Sequence, residues 1–202
     1  SAWNAPIRSP LAFAGSAAIP TAAVSSIPLN KAAFSVPFPP ARAMLHLVDP
    51  YQGFDADAFP FDPDGWNGES PLFGHLVDEL RPAIAIEVGS WKGQSARNLA
   101  RCMAAQRSDA QLLCVDTWLG SSDWWANPQD TPYQGMALRH GYPTVYFQFL
   151  ANVVHAGLQD VIVPFPNTSV IAARVLIARG VQAELIYVDA SHDENDVYMD
   201  IV

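Results

Sequence analysis

Residues 83–95 read Ala-Ile-Ala-Ile-Glu-Val-Gly-Ser-Trp-Lys-Gly-Gln-Ser. The first six, Ala83–Val88, are short and apolar apart from Glu87, which is the composition of a strand buried on both faces. Gly89 follows at once and permits a tight turn with close backbone approach. Gly93 ends the turn and keeps the next helix near the sheet. That helix carries Ala96, Leu99, Ala100 and Met103 on one side, the spacing of an amphipathic helix. Its first turn offers unpaired N–H groups to an anion.

The alternation continues on both sides. Ser70 is a good N-cap, Pro71 suits the first helical position, and Leu72, Phe73, Leu76, Val77 and Leu80 share one face before Pro82 stops the helix. Gln111–Val115 predicts a second buried strand, ending at Asp116. Residues 117–142 are irregular and rich in Trp, Gly, Asp and Pro. A helix is expected from near Pro143, with Val145, Phe149, Leu150, Val153 and Val154 as its stripe, Gly157 just past its end and Leu158 packing back. Val161–Phe165 is the third strand. Asn167, Thr168 or Ser169 caps a helix that ends at Arg179 and Gly180. Glu184–Val188 is the fourth strand, and Asp193–Val202 begins another helix.

Strands alternating with helices predict an α/β fold: a Rossmann-like parallel sheet with helices on both faces. Ligands of such sheets bind beyond the carboxyl ends of the strands. Gly89–Ser95, Asp116, Asn167–Ser169 and Asp189–Asp193 all fall at those ends, so four loops converge on one edge.

The 202 residues suit one domain, and a hydrophobic fraction of 50% can fill a core. The net charge of -9 argues against nucleic acid and anionic membranes as partners. No run of 18 apolar residues predicts a membrane span. Cys102 and Cys114 each sit in an apolar run and read as reduced core thiols, which fits a cytoplasmic location. Residues 1–48 contain no acidic residue, so all 20 Asp and Glu follow them. Residues 1–42 read as an extended Ala/Pro/Ser-rich arm, and 43–202 as the folded domain. Few arginines and no clear amphipathic helix set the arm apart from a transit peptide. Residues 49–69, dense in Asp, Pro, Gly and aromatics, are loop; Asp55, Asp57, Asp62 and Asp64 do not complete an EF-hand and read as solvated turns.

The turn reads E-x-G-x-x-x-G-x-S, with Trp91 where a dinucleotide fingerprint needs its middle glycine, and this weakens nicotinamide or flavin binding. The pattern resembles motif I of class I S-adenosylmethionine-dependent methyltransferases, in the variant of catechol O-methyltransferase-like enzymes. Asp49–Phe54 (DPYQGF), Glu87–Ala96 (EVGSWKGQSA), Val115–Gly120 (VDTWLG), Phe149–Gly157 (FLANVVHAG) and Tyr187–Asp193 (YVDASHD) are similar to small bacterial macrocin O-methyltransferase-like and cephalosporin-hydroxylase-like sequences. The resemblance covers roughly residues 45–202.

It implies S-adenosylmethionine as cofactor, O-methylation of a small-molecule hydroxyl, and a cofactor site of Glu87, Gly89, Ser90, Trp91, Gly93, Ser95, Asp116, Thr117, Trp118 and Asp189. Glu87 is expected to orient the turn or the cofactor's amino group, and Asp116 to hold both ribose hydroxyls. Trp118 is expected near the adenosine, Trp124 and Trp125 in a lid. Asp189 lies beside the transferred methyl and, in metal-dependent relatives, binds magnesium; His192 is the expected base. Asn167–Ser169 reads first as a helix cap. Family members continue to further strands and a later Asp pair, whereas this sequence stops at Val202. The last strands are therefore expected to be lacking, magnesium binding and turnover are in doubt, and an open sheet edge predicts a homo-oligomer. Two alternatives stand beside this reading: a catalytically incomplete S-adenosylmethionine-binding module and a nicotinamide-dependent oxidoreductase.

Overall fold

Glu87 lies opposite Cys114 on one neighbouring strand and Tyr187 on the other, at the centre of a parallel sheet. A computed structural model describes residues 40–201; the arm predicted for residues 1–42 falls outside them except at its end. There the chain is already folded: Pro40–Leu45 is a helix (α1), with proline at its first position. Ala41 and Arg42 are buried, and the Ala41 N–H donates to Oε1 of Gln111 at 2.7 Å.

The predicted alternation is present. Helix α2 (Leu72–Leu80) leads into β1 (Ile84–Val88), α3 (Gln94–Gln106) and β2 (Gln111–Asp116). Two short helices, α4 (Ser122–Ala126) and α5 (Thr131–Gly135), occupy the stretch expected to be irregular. Then come α6 (Val145–His155), β3 (Ile162–Pro166), α7 (Ser169–Ala178), β4 (Leu185–Val188) and α8 (Glu194–Ile201). The sheet order is β3-β2-β1-β4 with every pairing parallel. The chain leaves β1 toward β2 on one side and returns on the other as β4, so a crevice opens between the ends of β1 and β4.

Alternation along β2 separates two cores. Leu112 and Cys114 face α2, α3 and α6, where they meet Val77, Leu99, Met103 and Phe149. Leu113 and Val115 face the opposite side, toward Ala41 of α1 and Leu176 and Ala172 of α7. Each fully buried large side chain contributes roughly 1.5–3 kcal/mol by leaving water.

The predicted stops are physical ones. Arg81 ends α2 in the left-handed conformation (φ 46°), ahead of Pro82. Gly157 (φ 68°) ends α6; its N–H reaches the Val154 carbonyl at 2.9 Å and that of Leu158 the Val153 carbonyl at 3.1 Å, which is a Schellman motif. Thr168 caps α7, its Oγ1 accepting from the Ile171 N–H at 3.3 Å. Ser70 accepts from the Leu72 N–H at 3.3 Å, although α2 itself begins at Leu72. Among the described residues no helix is long and apolar enough to cross a membrane, and both cysteines are free.

Candidate functional site

The turn after β1 lies against the turn after β4. Gly89 (φ 87°) donates its N–H to the Val115 carbonyl at 2.9 Å, and a Cβ there would collide with the Asp189 carbonyl. No side chain fits at this position, and the left-handed φ independently favours glycine. Gly93 (φ 81°) is different. It is buried behind the turn, where a Cβ would come within 3.0 Å of the Phe149 ring. Its absence of side chain lets the start of α3 settle on α6, and it does not line the cavity described below.

Asp116 ties the turn down. Its Oδ2 accepts from the N–H groups of Ser90 and Trp91, each at 2.9 Å, and its Oδ1 from that of Trp118 at 2.7 Å. Trp91 (φ 47°) and Trp118 (φ 52°) both hold left-handed backbone conformations, which cost a non-glycine residue roughly 1 kcal/mol or more. One carboxylate thus secures two strained residues. Burial pushes this carboxyl up, against the downward pull of the Trp118, Trp91 and Ser90 N–H groups.

Glu87 is fully buried below the turn. Ser90 Oγ donates to its Oε2 and Ser95 Oγ to its Oε1, both at 2.6 Å, and Cys114 Sγ lies 3.6 Å from Oε2. Burial raises the carboxyl to about 7, the serine hydrogen bonds working against that rise.

The loop at 61–68 is anchored to the turn: Gly65, Trp66 and Asn67 line the cavity described below, while Asp64 remains exposed, as expected of a solvated turn. Lys92 Nζ reaches Asp62 Oδ2 at 2.8 Å and Asp64 Oδ2 at 3.0 Å. Burial alone would lower the Lys92 ammonium; its bonds to Asp62 and Asp64 outweigh that and hold it above the ordinary value. Buried Asn152 joins the same clamp, donating to the Asp62 and Lys92 carbonyls at 2.8 Å each. Trp66, Trp91 and Trp124 then pack on one another, with ring centroids 4.7–6.2 Å apart.

At the end of β4, Asp189 Oδ2 accepts from the Tyr187 hydroxyl at 2.8 Å, and its Oδ1 lies 3.5 Å from Nε2 of His192. Burial, with Asp189 beside it, holds the Tyr187 hydroxyl well above its ordinary value. His192 is 88% exposed at the mouth. Ser122 of α4 bridges to Asp193 at 3.2 Å, joining the segment over the cavity to the start of α8.

These pieces enclose one cavity of about 880 Å³. Of the residues expected at a cofactor site, Gly89, Ser90, Trp91, Ser95, Asp116, Thr117 and Asp189 line it, as does His192. Trp124 lines it too, whereas Trp125 turns away, its indole N–H on the Leu119 carbonyl at 2.8 Å. Glu87 stays beneath, reaching the cavity only through the two serines. Trp118 is placed differently from its expected position near an adenosine. It is 2% exposed, packed on Tyr146 and Phe149, with its indole N–H on the Trp91 carbonyl at 2.7 Å. It supports the turn from behind. Thr168 caps α7, and Asn167–Ser169 line the cavity. Trp66 and the inner face of α8 were not foreseen: Trp66 sits in a loop without periodicity, and only contact with the Trp91 turn reveals it.

The donor set does not suit a metal at Asp189. Among the described residues no group of three His, Cys, Asp or Glu could hold one, while magnesium wants several hard oxygens in near-octahedral array. An organic cofactor fits better. Gly89, the two serines, the start of α3 and the polar Asp116 all line the one cavity.

A family model described as a methyltransferase domain matches residues 86–202. No curated protein matches the chain. Among solved structures, it is similar to an O-methyltransferase from Bacillus cereus in complex with SAH, with 16% identity over 74% of this chain and 56% of that one, and a TM-score of 0.46. A putative O-methyltransferase from Klebsiella pneumoniae shows 20% identity over 79% and 61%, TM-score 0.40. The cofactor-bound Rv0187 from MTB shows 18% identity over 81% and 66%, TM-score 0.43. The chain thus spans less than two thirds of the length of each of these structures.

Proposed function

The chain belongs to the methyltransferase-domain family whose model covers its residues 86–202, and from that premise we propose that it binds S-adenosylmethionine and methylates a hydroxyl of a small molecule. The carrying observation is the single cavity shared by the Gly89 turn, Asp116 and Asp189. When bound, S-adenosylmethionine supplies an electrophilic methyl group on a positively charged sulfur. The protein's part is to bind, orient and move a proton.

The Gly89 turn with Ser90 and Ser95 receives the amino-acid tail. Asp116 faces the sugar; with three backbone N–H groups already on its oxygens, about one of its roughly four lone-pair sites is left for a ribose hydroxyl. Asn167–Ser169 border the end assigned to the base. His192 takes the proton of the acceptor hydroxyl, and Asp189, held by Tyr187, stabilises the imidazolium that results. The absence of lysine and arginine from the described lining, which includes six aspartates, favours an uncharged or cationic acceptor over nucleic acid. The free cysteines suit the cytoplasm.

Titration calorimetry tests the cofactor, with S-adenosylhomocysteine and NADH as ligands. Binding of the first and not the second is expected; the reverse overturns the reading in favour of an oxidoreductase. Methyl transfer to a panel of hydroxyl compounds, with and without magnesium, tests turnover. Binding without transfer to any of them would leave a binding module. His192→Ala is expected to lower kcat by about 10²–10⁴-fold with cofactor affinity retained.

A further inference from the structure

Trp66 lines the cavity, yet it belongs to none of the three parts assigned to a cofactor: the tail at the Gly89 turn, the sugar at Asp116, the base beside Asn167–Ser169. It also lies outside residues 86–202, the part of the chain that the methyltransferase-domain model matches. Its indole is 57% exposed. It meets Trp91 and Trp124 at tilts of 40° and 41°, not face to face, so much of the ring stays open. A large apolar surface left open on a cavity wall marks a place for a ligand.

The backbone on either side holds that ring still. Gly65 and Gly68 flank Trp66 and Asn67, and a Cβ at either glycine would collide with Gln94 or Ser95 at the start of α3. The two glycines thus let the chain press onto α3. There the Gly68 N–H donates to Oε1 of Gln94 at 3.1 Å, and Asn98 Nδ2 donates to the Gly68 carbonyl at 3.0 Å. Lys92 fixes the preceding residues through Asp62 and Asp64. Trp66 is therefore presented ready-made, which lowers the ordering cost of binding. The same wall reaches the catalytic end. Trp124 belongs to α4, and Ser122 of that helix bonds Asp193, the neighbour of His192, at 3.2 Å. The cavity of about 880 Å³ is near the top of the roughly 300–1,000 Å³ common for one ligand, so an acceptor has room beside a cofactor. Asn67 and Gln94 line it too. The Gln94 oxygen is taken by Gly68, which leaves its NH2 to donate.

We propose that Trp66 is a specificity-determining residue that stacks on the methyl acceptor, and that the acceptor is a ring with one flat apolar face and a hydrogen-bonding edge. This rests on the S-adenosylmethionine reading and names the shape of the second substrate. Two sources offer such a ring, an aromatic hydroxyl compound and the C–H face of a sugar, and an indole stacks on either.

Protein labelled with nitrogen-15 tryptophan and saturated with S-adenosylhomocysteine reads the Trp66 indole N–H by NMR; the signal missing from Trp66→Phe identifies it. The probes are phenol, methyl β-glucopyranoside and sorbitol, an open-chain polyol without a ring. At least one of the two rings is expected to shift the Trp66 signal, phenol marking an aromatic acceptor and the glucoside a sugar, while sorbitol leaves it in place. By calorimetry, W66A is expected to bind that ring about tenfold more weakly, with W66F keeping most of the affinity and S-adenosylhomocysteine binding unchanged in both. A Trp66 signal silent to both rings, a shift by sorbitol as large as by a ring, undiminished ring binding in W66A, or equal loss of ring and S-adenosylhomocysteine would each overturn the proposal. If W66A does not fold, the wild-type titration decides alone. Wild type that fails to bind S-adenosylhomocysteine removes the cofactor reading, and this proposal with it; S-adenosylhomocysteine bound with Trp66 silent removes the role of Trp66 alone.

Discussion

Asp116 has two tasks that pull on the same lone pairs. Its oxygens accept from Ser90, Trp91 and Trp118, and the same carboxylate borders the cavity. Asp116→Ala would strand three backbone N–H groups and release two tryptophans from left-handed conformations. We expect it to lower stability by about 1–3 kcal/mol in urea titration and to weaken S-adenosylhomocysteine binding by tenfold or more; unchanged affinity would remove Asp116 from the site. Glu87 makes a prediction about stability. Its folded carboxyl titrates near 7 against 4.5 ordinarily, so between those values the folded chain holds a proton that the unfolded chain has released. The stability this confers is complete below about 4.5 and is lost as pH rises through about 7. The stability of wild type minus that of E87Q should therefore fall between pH values of about 5 and 8. Equal urea midpoints for the pair across that range would mean that Glu87 ionises as an exposed glutamate does.

Phe149 of α6 shows how an element remote from the cavity shapes it. Its ring is fully buried, lies 4.9 Å from that of Trp118, and occupies the space that a side chain at Gly93 would need. Phe149→Ala should cost about 3–5 kcal/mol in denaturant unfolding, and a loss under 1 kcal/mol would mean that α6 repacks without it. The elements of the sheet were legible in sequence because each strand is an apolar run between turn residues, and the observed strand ends fall within a residue of the expected ones. Helix ends were legible where a residue type has a local cause, as at Arg179-Gly180, Thr168 and Gly157. What was not legible came from contacts far apart in sequence. Nothing local distinguishes Trp118, buried behind the turn, from Trp124, on the cavity. Asp62 and Asp64 looked like solvated turns because Lys92, which pairs with them, lies about thirty residues on. The helix at Pro40–Leu45 was hidden by its Ala/Pro-rich surroundings, since Ala41 and Arg42 are held by Gln111, far along the chain, and Asp49, outside the helix.

Charge acts over the whole molecule. The chain carries a net -9, and its cavity repeats that bias: Asp116, Asp123, Asp189, Asp193, Asp196 and Asp200 line it, with no lysine or arginine among the described lining residues. A cleft with carboxylates of one sign and low-dielectric walls concentrates cations. S-adenosylmethionine carries one more positive charge than S-adenosylhomocysteine, at the sulfur, and is otherwise nearly the same shape. The field should therefore favour the methyl donor over the demethylated product, lowering product retention without any contact specific to the methyl group. Such a field is screened by salt, because the Debye length shrinks from about 10 Å at 0.1 M to roughly 3 Å at 1 M. Calorimetry across that range should find S-adenosylmethionine bound several-fold more tightly than S-adenosylhomocysteine at low salt, with the ratio falling toward one as salt rises. Hydrogen bonds inside the cavity are common to both ligands and cancel in the ratio. A ratio indifferent to salt would mean that the aspartates are neutralised or face away, and would leave the acidic lining without a part in choosing the ligand.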